Sequence, residues 1–337
     1  MDERSPENIP VRSALHYALG ACVGAGTLLI FYVGIIFTLN RTGNLPPPPL
    51  SNSLCIDEKL KFLRENSNIS PTILITGSSV AWRSVDSSLL QHDLPGQKIL
   101  NGSLCGQKAN QTANTTDWLL KHYSSIRTIV MLAVPQDFTL CHNVPSTPFP
   151  LSAADEYVFG KNKTSFPLRF YFQFFDPISL QHNAHHVAGQ RRNEIPLDPL
   201  VITSTGDGPL NTVVSRATMG EGPLLPYDPV CYNALNHMEQ VAKDNGLRFV
   251  VALLPVKQAW EKLYDPSHQR RYELVEHIKQ DIIKSYGEEV DLENRVALPE
   301  GAFTDAVHIR WSAVPVVTEA LSDVLRTPPH SAGSGIP

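Results

Sequence analysis

From residue 14 to residue 39 the chain reads ALHYALGACVGAGTLLIFYVGIIFTL, without one Asp, Glu, Lys or Arg. Away from water, the backbone N–H and C=O groups of such a run must bond within the segment, which makes it a helix. At ~1.5 Å per residue the helix reaches about 39 Å, against a hydrocarbon core of ~30 Å, so it can cross a bilayer with some tilt. A cleaved signal peptide would carry a shorter apolar stretch, about 7–15 residues, and a small-x-small cleavage site. Here TLNRTGNLPPPPL follows instead. The expectation is an uncleaved transmembrane anchor over residues 14–39, with residues 1–13 cytoplasmic and the rest extracytoplasmic. Arg4 and Arg12 before the run and Arg41 after it give only a slight positive-inside bias.

Residues 40–55 contain Pro46, Pro47, Pro48 and Pro49, which suit a stiff polyproline spacer holding a soluble domain off the membrane. That domain is expected over residues 56–326, with residues 327–337 (TPPHSAGSGIP) a disordered tail. Hydrophobic residues make up 42% and charged residues 18%, enough for a real core. A net charge of -5 and no basic stripe interleaved with aromatics exclude a nucleic-acid binder.

Apolar runs TILIT (residues 72–76), TIVMLAV (128–134) and RFVVALLPV (248–256) look like buried strands. Helical patterns intervene at residues 115–126, 232–246, 271–287 and 314–326. Alternating strand and helix implies an α/β domain with a parallel sheet covered on both faces. Residues 140–230 break the rhythm and read as an irregular insertion beside the sheet, possessing structure of its own and able to roof a site. Cys55, Cys105, Cys141 and Cys231 lie beyond the anchor and allow three pairings. Cys141 and Cys231 bracket the insertion, which makes a bridge between them attractive. No Cys/His spacing suggests zinc, and neither a metal nor a cofactor is expected.

The stretch ILITGSSVAWRSVD leaves its strand through Gly77, Ser78 and Ser79. Function in parallel sheets collects at the carboxyl ends of strands, and a tight strand-to-helix turn there can hold Ser79 out as a nucleophile. A serine needs a base, and the base an orienting group. AFTDAVHIRWSA, just before the last helix, supplies Asp305 and His308 three residues apart. ILNGSLCGQ offers Asn101, Gly102 and Gly106 in a turn able to present a backbone N–H to an oxyanion.

Together these pieces resemble the SGNH (GDSL-type) hydrolase superfamily. Gly77-Ser78-Ser79 matches the first block, Asn101 and Gly106 the second, Asp305 and His308 the last. The usual Gly-x-Asn-Asp of the third block is missing; VPQDF (residues 134–138) stands there, with Gln136 as the nearest substitute donor. Gly-Ser-Ser, Pro-Gln-x-Phe, LLPVKQAWEKLYD and FTDAVHIRW in this order are similar to the membrane-anchored DltD-like proteins of cell-envelope acylation. The resemblance covers roughly residues 72–137 and 249–311. It implies a three-layer parallel-sheet SGNH-like domain behind one transmembrane helix, acting as a serine esterase or O-acyltransferase on O-acyl esters of a cell-envelope polymer. It further implies catalysis by Ser79, His308 and Asp305, an oxyanion hole from Ser79, Gly106 and Gln136, and work beside a multi-spanning membrane O-acyltransferase.

Alternatives stand beside this reading: a free-standing anchored esterase or lipase, and a non-catalytic member that presents polymer to a partner. Lys257 and Trp260 are candidates for substrate contact, although a solvated lysine and a packed tryptophan are the ordinary roles. Cys105 reads as a packing residue or half a disulfide, and His182, His185 and His186 as a solvated surface. Six Asn-x-Ser/Thr sequons begin at Asn40, Asn68, Asn101, Asn110, Asn114 and Asn162; a glycan on Asn101 would block the proposed site.

Overall fold

The computed structural model describes residues 11–51, 53–191, 201–210, 222–280 and 286–328. Helix α1 (Val11–Arg41) contains one run, Leu15–Arg41, long and apolar enough to cross a membrane, and it is mostly exposed. After α2 (Leu54–Glu65) comes β1 (Ile73–Gly77), then the short α3 (Ser79–Arg83) and α4 (Ser87–Asp93), β2 (Ile99–Asn101), α5 (Ala109–His122) and β3 (Thr128–Ala133). Helices α6 (Leu151–Phe159), α7 (Leu168–Gln173) and α8 (Pro177–Arg191) follow. The chain then runs through α9 (Pro229–Asp244), β4 (Arg248–Leu253), α10 (Gln258–Tyr264), α11 (Gln269–Ile278), β5 (Glu288–Asp291) and α12 (Val314–Arg326).

The five strands form one parallel sheet in the order β2-β1-β3-β4-β5. Chain direction across the sheet therefore reverses between β1 and β3, and such a switch point leaves a crevice at the carboxyl edge. Alternate strand residues feed two apolar cores, one on each face. Leu74, Ile129, Met131, Phe249 and Val251 pack with Leu119 of α5 and Leu235 and Met238 of α9. Ile75, Val130, Leu132, Val250 and Ala252 pack with Leu90 of α4 and Val317 and Leu321 of α12. Because both sides of β1, β3 and β4 are covered, these strands are continuous apolar runs, which is why they were legible as strands.

Three expectations change. The prolines do not form a free spacer: Pro46, Pro47 and Pro48 are buried, and the Tyr171 hydroxyl donates to the Pro46 carbonyl at 2.6 Å. The insertion is less irregular than its composition suggests, since it holds α6, α7 and α8. Helix α5 begins at Ala109 rather than Thr115, its polar first turns closed where the Lys108 N–H donates to Gln111 Oε1 at 3.3 Å. The expected tail lies almost wholly outside the described residues.

Disulfides join Cys55 to Cys105 and Cys141 to Cys231, with Cα separations of 6.2 and 5.5 Å; Cys22 is free. Cys141–Cys231 closes the insertion at its base, across a sequence separation of 90. A loop of that size removes unfolded-state entropy equivalent to about 4.6 kcal/mol. Urea unfolding of full-length Cys141→Ser/Cys231→Ser in detergent should show a loss of that order, with the fold retained; an unchanged midpoint would contradict it.

Candidate active site

Strand β1 ends on Gly77, whose φ of +146° lies in the region L-residues avoid. A Cβ there would stand 2.4 Å from the Leu132 carbonyl oxygen of β3 and 2.6 Å from Ala81 Cβ of α3. Only glycine lets the strand pair with β3 and be followed at once by a helix. Ser78 caps that helix, its Oγ accepting from the Val80 N–H at 3.3 Å. Ser79 is the helix's first residue and sits half-buried at the carboxyl edge.

The partner comes from the far end of the chain. A bridge between Phe303 and Ile309 closes a short loop, with the Thr304 N–H donating to the His308 carbonyl at 2.9 Å. Within it, Asp305 Oδ1 accepts from the backbone N–H groups of Val307 and His308 at 2.9 and 2.8 Å. Asp305 Oδ2 lies 2.7 Å from His308 Nδ1, and His308 Nε2 lies 2.9 Å from Ser79 Oγ. Asp305 and His308 are buried. Burial works to raise the Asp305 carboxyl, but the ring of His308 and the two amides together outweigh it and hold it below its ordinary value. The Asx-type turn fixes the carboxylate, the carboxylate fixes the ring, and the ring meets the hydroxyl.

A cavity of about 330 Å³ opens over Ser79 and His308, lined also by Gly106, Gln136, Leu140 and residues 222–225. Gly106 lies on its rim with φ +68°, in the loop after β2. Both polar atoms of the Gln136 side chain are buried, and neither finds a partner among the described residues. An unpaired amide in such a place is costly unless something else fills its bonds. The insertion contributes Gly222, Pro223, Leu224 and Leu225 to the lining, which accords with the expected roof.

Other expectations are corrected. Lys257 and Trp260 do not line this cavity. Trp260 is buried, its indole N–H donating to the Gly222 carbonyl at 3.1 Å, and the Lys257 N–H donates to the Ala306 carbonyl at 2.8 Å. Trp260 thus ties the lining residue Gly222 to α10, and the backbone of residue 257 ties α10 to the His308 loop. Asn101 is fully buried, its amide donating to Asp207 Oδ1 at 2.9 Å and to the Ala81 carbonyl at 3.2 Å, so the folded chain offers no glycan acceptor there. Gly102 is packed closely, and a Cβ there would have to push aside the Leu119 and Leu74 methyls at 2.5 and 2.9 Å. His182 and His186 line a different cavity, and no group of three or more potential metal ligands occurs among the described residues. A larger cavity of about 1020 Å³ lies at the opposite edge of the sheet, around Thr72, Arg127 and Arg248.

Two charged residues beside the nucleophile turn escaped the sequence reading. Lys108 donates from Nζ to the Gln136 carbonyl at 2.6 Å; burial lowers its pKa while Asp137 opposes the shift. Asp137 is buried, accepts from the Val134 N–H at 3.0 Å and hydrogen-bonds Ser78; burial pushes its carboxyl up to about 6 against those bonds. Lys108 follows the Gly-Gln of the second block and Asp137 follows Gln136, so adjacency to both blocks was the available signal. No protein-family model matches the chain, and no curated protein matches it.

The two carboxyls give opposite pH signatures. The depressed Asp305 contributes stability that is complete above its unfolded value near 3.8 and is lost as pH falls through its lower folded value. The raised Asp137 contributes stability that is complete below 3.8 and is lost as pH rises through about 6. In urea unfolding from pH 3 to 8, the deficit of Asp305→Asn should shrink at the acid end. Asp137→Asn should gain on the wild-type protein between about pH 4 and 7. Differences flat with pH would refute both assignments.

Proposed function

We propose that this protein is a membrane-anchored, extracytoplasmic serine acyl hydrolase or acyltransferase of three-layer SGNH-like type, acting on O-acyl esters of a cell-envelope polymer. The observation that carries the reading is the relay Asp305 Oδ2–His308 Nδ1 at 2.7 Å and His308 Nε2–Ser79 Oγ at 2.9 Å. Ser79 lies 226 and 229 residues from Asp305 and His308, and the three meet at the switch point of the sheet. Such convergence is what acyl transfer requires and is hard to explain in a protein that only presents polymer. Two disulfides beyond α1 support an oxidising compartment for the domain, and the apolar run of α1 supports the anchor.

In this reading His308 Nε2 takes the Ser79 hydroxyl proton as Oγ bonds to the ester carbonyl carbon. The Ser79 N–H, the Gly106 N–H and the Gln136 amide receive the oxyanion. The carbonyl then re-forms, the C–O bond to the leaving alcohol breaks, and His308 returns the proton to that oxygen. A polymer hydroxyl or water, deprotonated by His308, then bonds to the acyl carbon; the bond to Ser79 Oγ breaks, and His308 returns the proton to Oγ. Asp305 holds Nδ1 protonated and offsets the imidazolium charge throughout. Work beside a multi-spanning O-acyltransferase belongs to the same proposal, because an extracytoplasmic transferase needs acyl groups delivered across the membrane.

Fluorophosphonates react only with an activated serine. The wild-type protein should label, Ser79→Ala and His308→Ala should not, and Ser78→Ala should. Labelling that survives Ser79→Ala and vanishes with Ser78→Ala would reject the nucleophile.

Gln136→Ala should lower kcat on a model acyl ester by about 10²–10³ with little change in KM, the loss of one oxyanion donor. A kcat within twofold of wild type would remove Gln136 from the site.

A further inference from the structure

The surface where α1 meets the domain carries apolar side chains that the fold leaves uncovered. Tyr32 and Ile36 of α1 are buried against Tyr171 of α7 and Leu180 of α8. Around this small core stand Phe166, Phe172, Phe175 and Ile178, exposed by 36%, 36%, 60% and 81%. They form a collar on the helix: Tyr32 meets Phe172 and Phe175 with ring centroids 5.6 and 4.8 Å apart, and Phe37 stacks on Phe166 at 5.3 Å. The hydroxyls in this region are already satisfied by protein. Tyr32 donates to the Tyr171 carbonyl at 3.0 Å and Tyr171 to the Pro46 carbonyl at 2.6 Å, so neither needs water.

We infer that this collar inserts into the bilayer leaflet on the domain's side, so that α7 and the start of α8 lie at the hydrocarbon edge. The inference rests on the reading of α1 as membrane-spanning. Its depth follows from helix geometry: Tyr32 and Phe37 precede Arg41 by about 13 and 6 Å along the axis. The apolar run exceeds a hydrocarbon core by about 9 Å. Even with all of that excess on the domain's side, Tyr32 stays at the hydrocarbon edge, and the rings packed on it share its depth. Aromatic and aliphatic side chains at that level are the ordinary composition of a membrane interface. Pro46, Pro47 and Pro48 are buried, and Pro46 is hydrogen-bonded to Tyr171 of α7, so the segment after α1 lies against the domain. The collar thereby fixes the height of the domain above the lipid. Helix α2 follows directly, and its Cys55–Cys105 bridge carries the brace to the residue before Gly106.

Depth measurement by spin labelling tests this in the full chain, reconstituted in phosphatidylcholine vesicles. Native Cys22, the free cysteine on the apolar run, reports the span itself. In a Cys22→Ser background, Phe175→Cys and Ile178→Cys report the collar, and Asp323→Cys on the exposed face of α12 gives an aqueous reference. Collar labels should relax with oxygen in preference to a nickel chelate, several-fold more than the Asp323 label and less than the Cys22 label. Collar labels as chelate-accessible as Asp323, with Cys22 still in lipid, overturn the collar and leave the anchor standing. A chelate-accessible Cys22 overturns the anchor and the collar with it. Labels shielded from both reagents would mean a protein cover, such as a second copy of the chain, and would equally overturn it.

Discussion

One close approach governs the site: the Leu132 carbonyl of β3 lies where any side chain at residue 77 would begin. That contact exists because β1 and β3 pair in parallel register with Gly77 opposite Leu132. Since the positive φ of Gly77 turns the chain at the strand's last residue, Ser79 falls on the first position of α3 instead of being carried past the sheet. From there its hydroxyl can be met only by a group arriving over the carboxyl edge, which is where the Phe303–Ile309 loop delivers His308. An added methyl at residue 77 would therefore displace Ser79 and loosen the sheet together.

What could be read from residues was what has a one-dimensional signature. Strands β1, β3 and β4 were legible because burial on both faces makes them unbroken apolar runs, and the stop of α9 because Gly246 takes φ +63° and its N–H closes on the Lys243 carbonyl. Ser79, His308 and Asp305 were legible because a glycine-serine turn and an Asp-x-x-His spacing each encode local geometry. Strand β5 was missed: on this edge strand Glu288 and Asp291 pair with Arg248 and Arg271, so acidic residues replace the apolar run that marks the other strands. The prolines were misjudged because composition reports stiffness but says nothing of what a stiff segment rests on. Trp260 takes the ordinary packed role rather than a substrate-facing one, its indole bonded to Gly222.

Least legible was the segment 201–210, where no local pattern announces its partners. Gly208 fits only because it lacks a side chain: a Cβ would stand 2.3 Å from Trp82 of α3, and its N–H donates to the Trp82 carbonyl at 2.8 Å. The Gly206 carbonyl accepts from the Trp82 indole at 2.9 Å and from Lys59 Nζ of α2. Asp207 is buried, with bonds from the Ser87 N–H and hydroxyl, Asn101 and Thr205 at 2.7–2.9 Å. Burial raises its carboxyl pKa against those four bonds.

Three parts of the chain thus converge on one buried knot: α2, which follows α1; the insertion; and the helix that begins at Ser79. Burial lowers the Lys59 ammonium to about 7 despite the nearby Asp207, so the knot contains a cation that folding holds at a disadvantage. A charged network of this kind contributes little net stability; what it enforces is a single arrangement, because each member left unpaired would cost more than the pair returns. Asn101 binds the same Asp207 and also the carbonyls of Ala81 and Trp82. The second block of the sequence pattern therefore meets α3 directly, with Asn101 also held by Asp207 of the insertion. A divergent middle segment, which reads as decoration on an α/β domain, sets the position of α3 and, through it, the angle at which Ser79 faces His308.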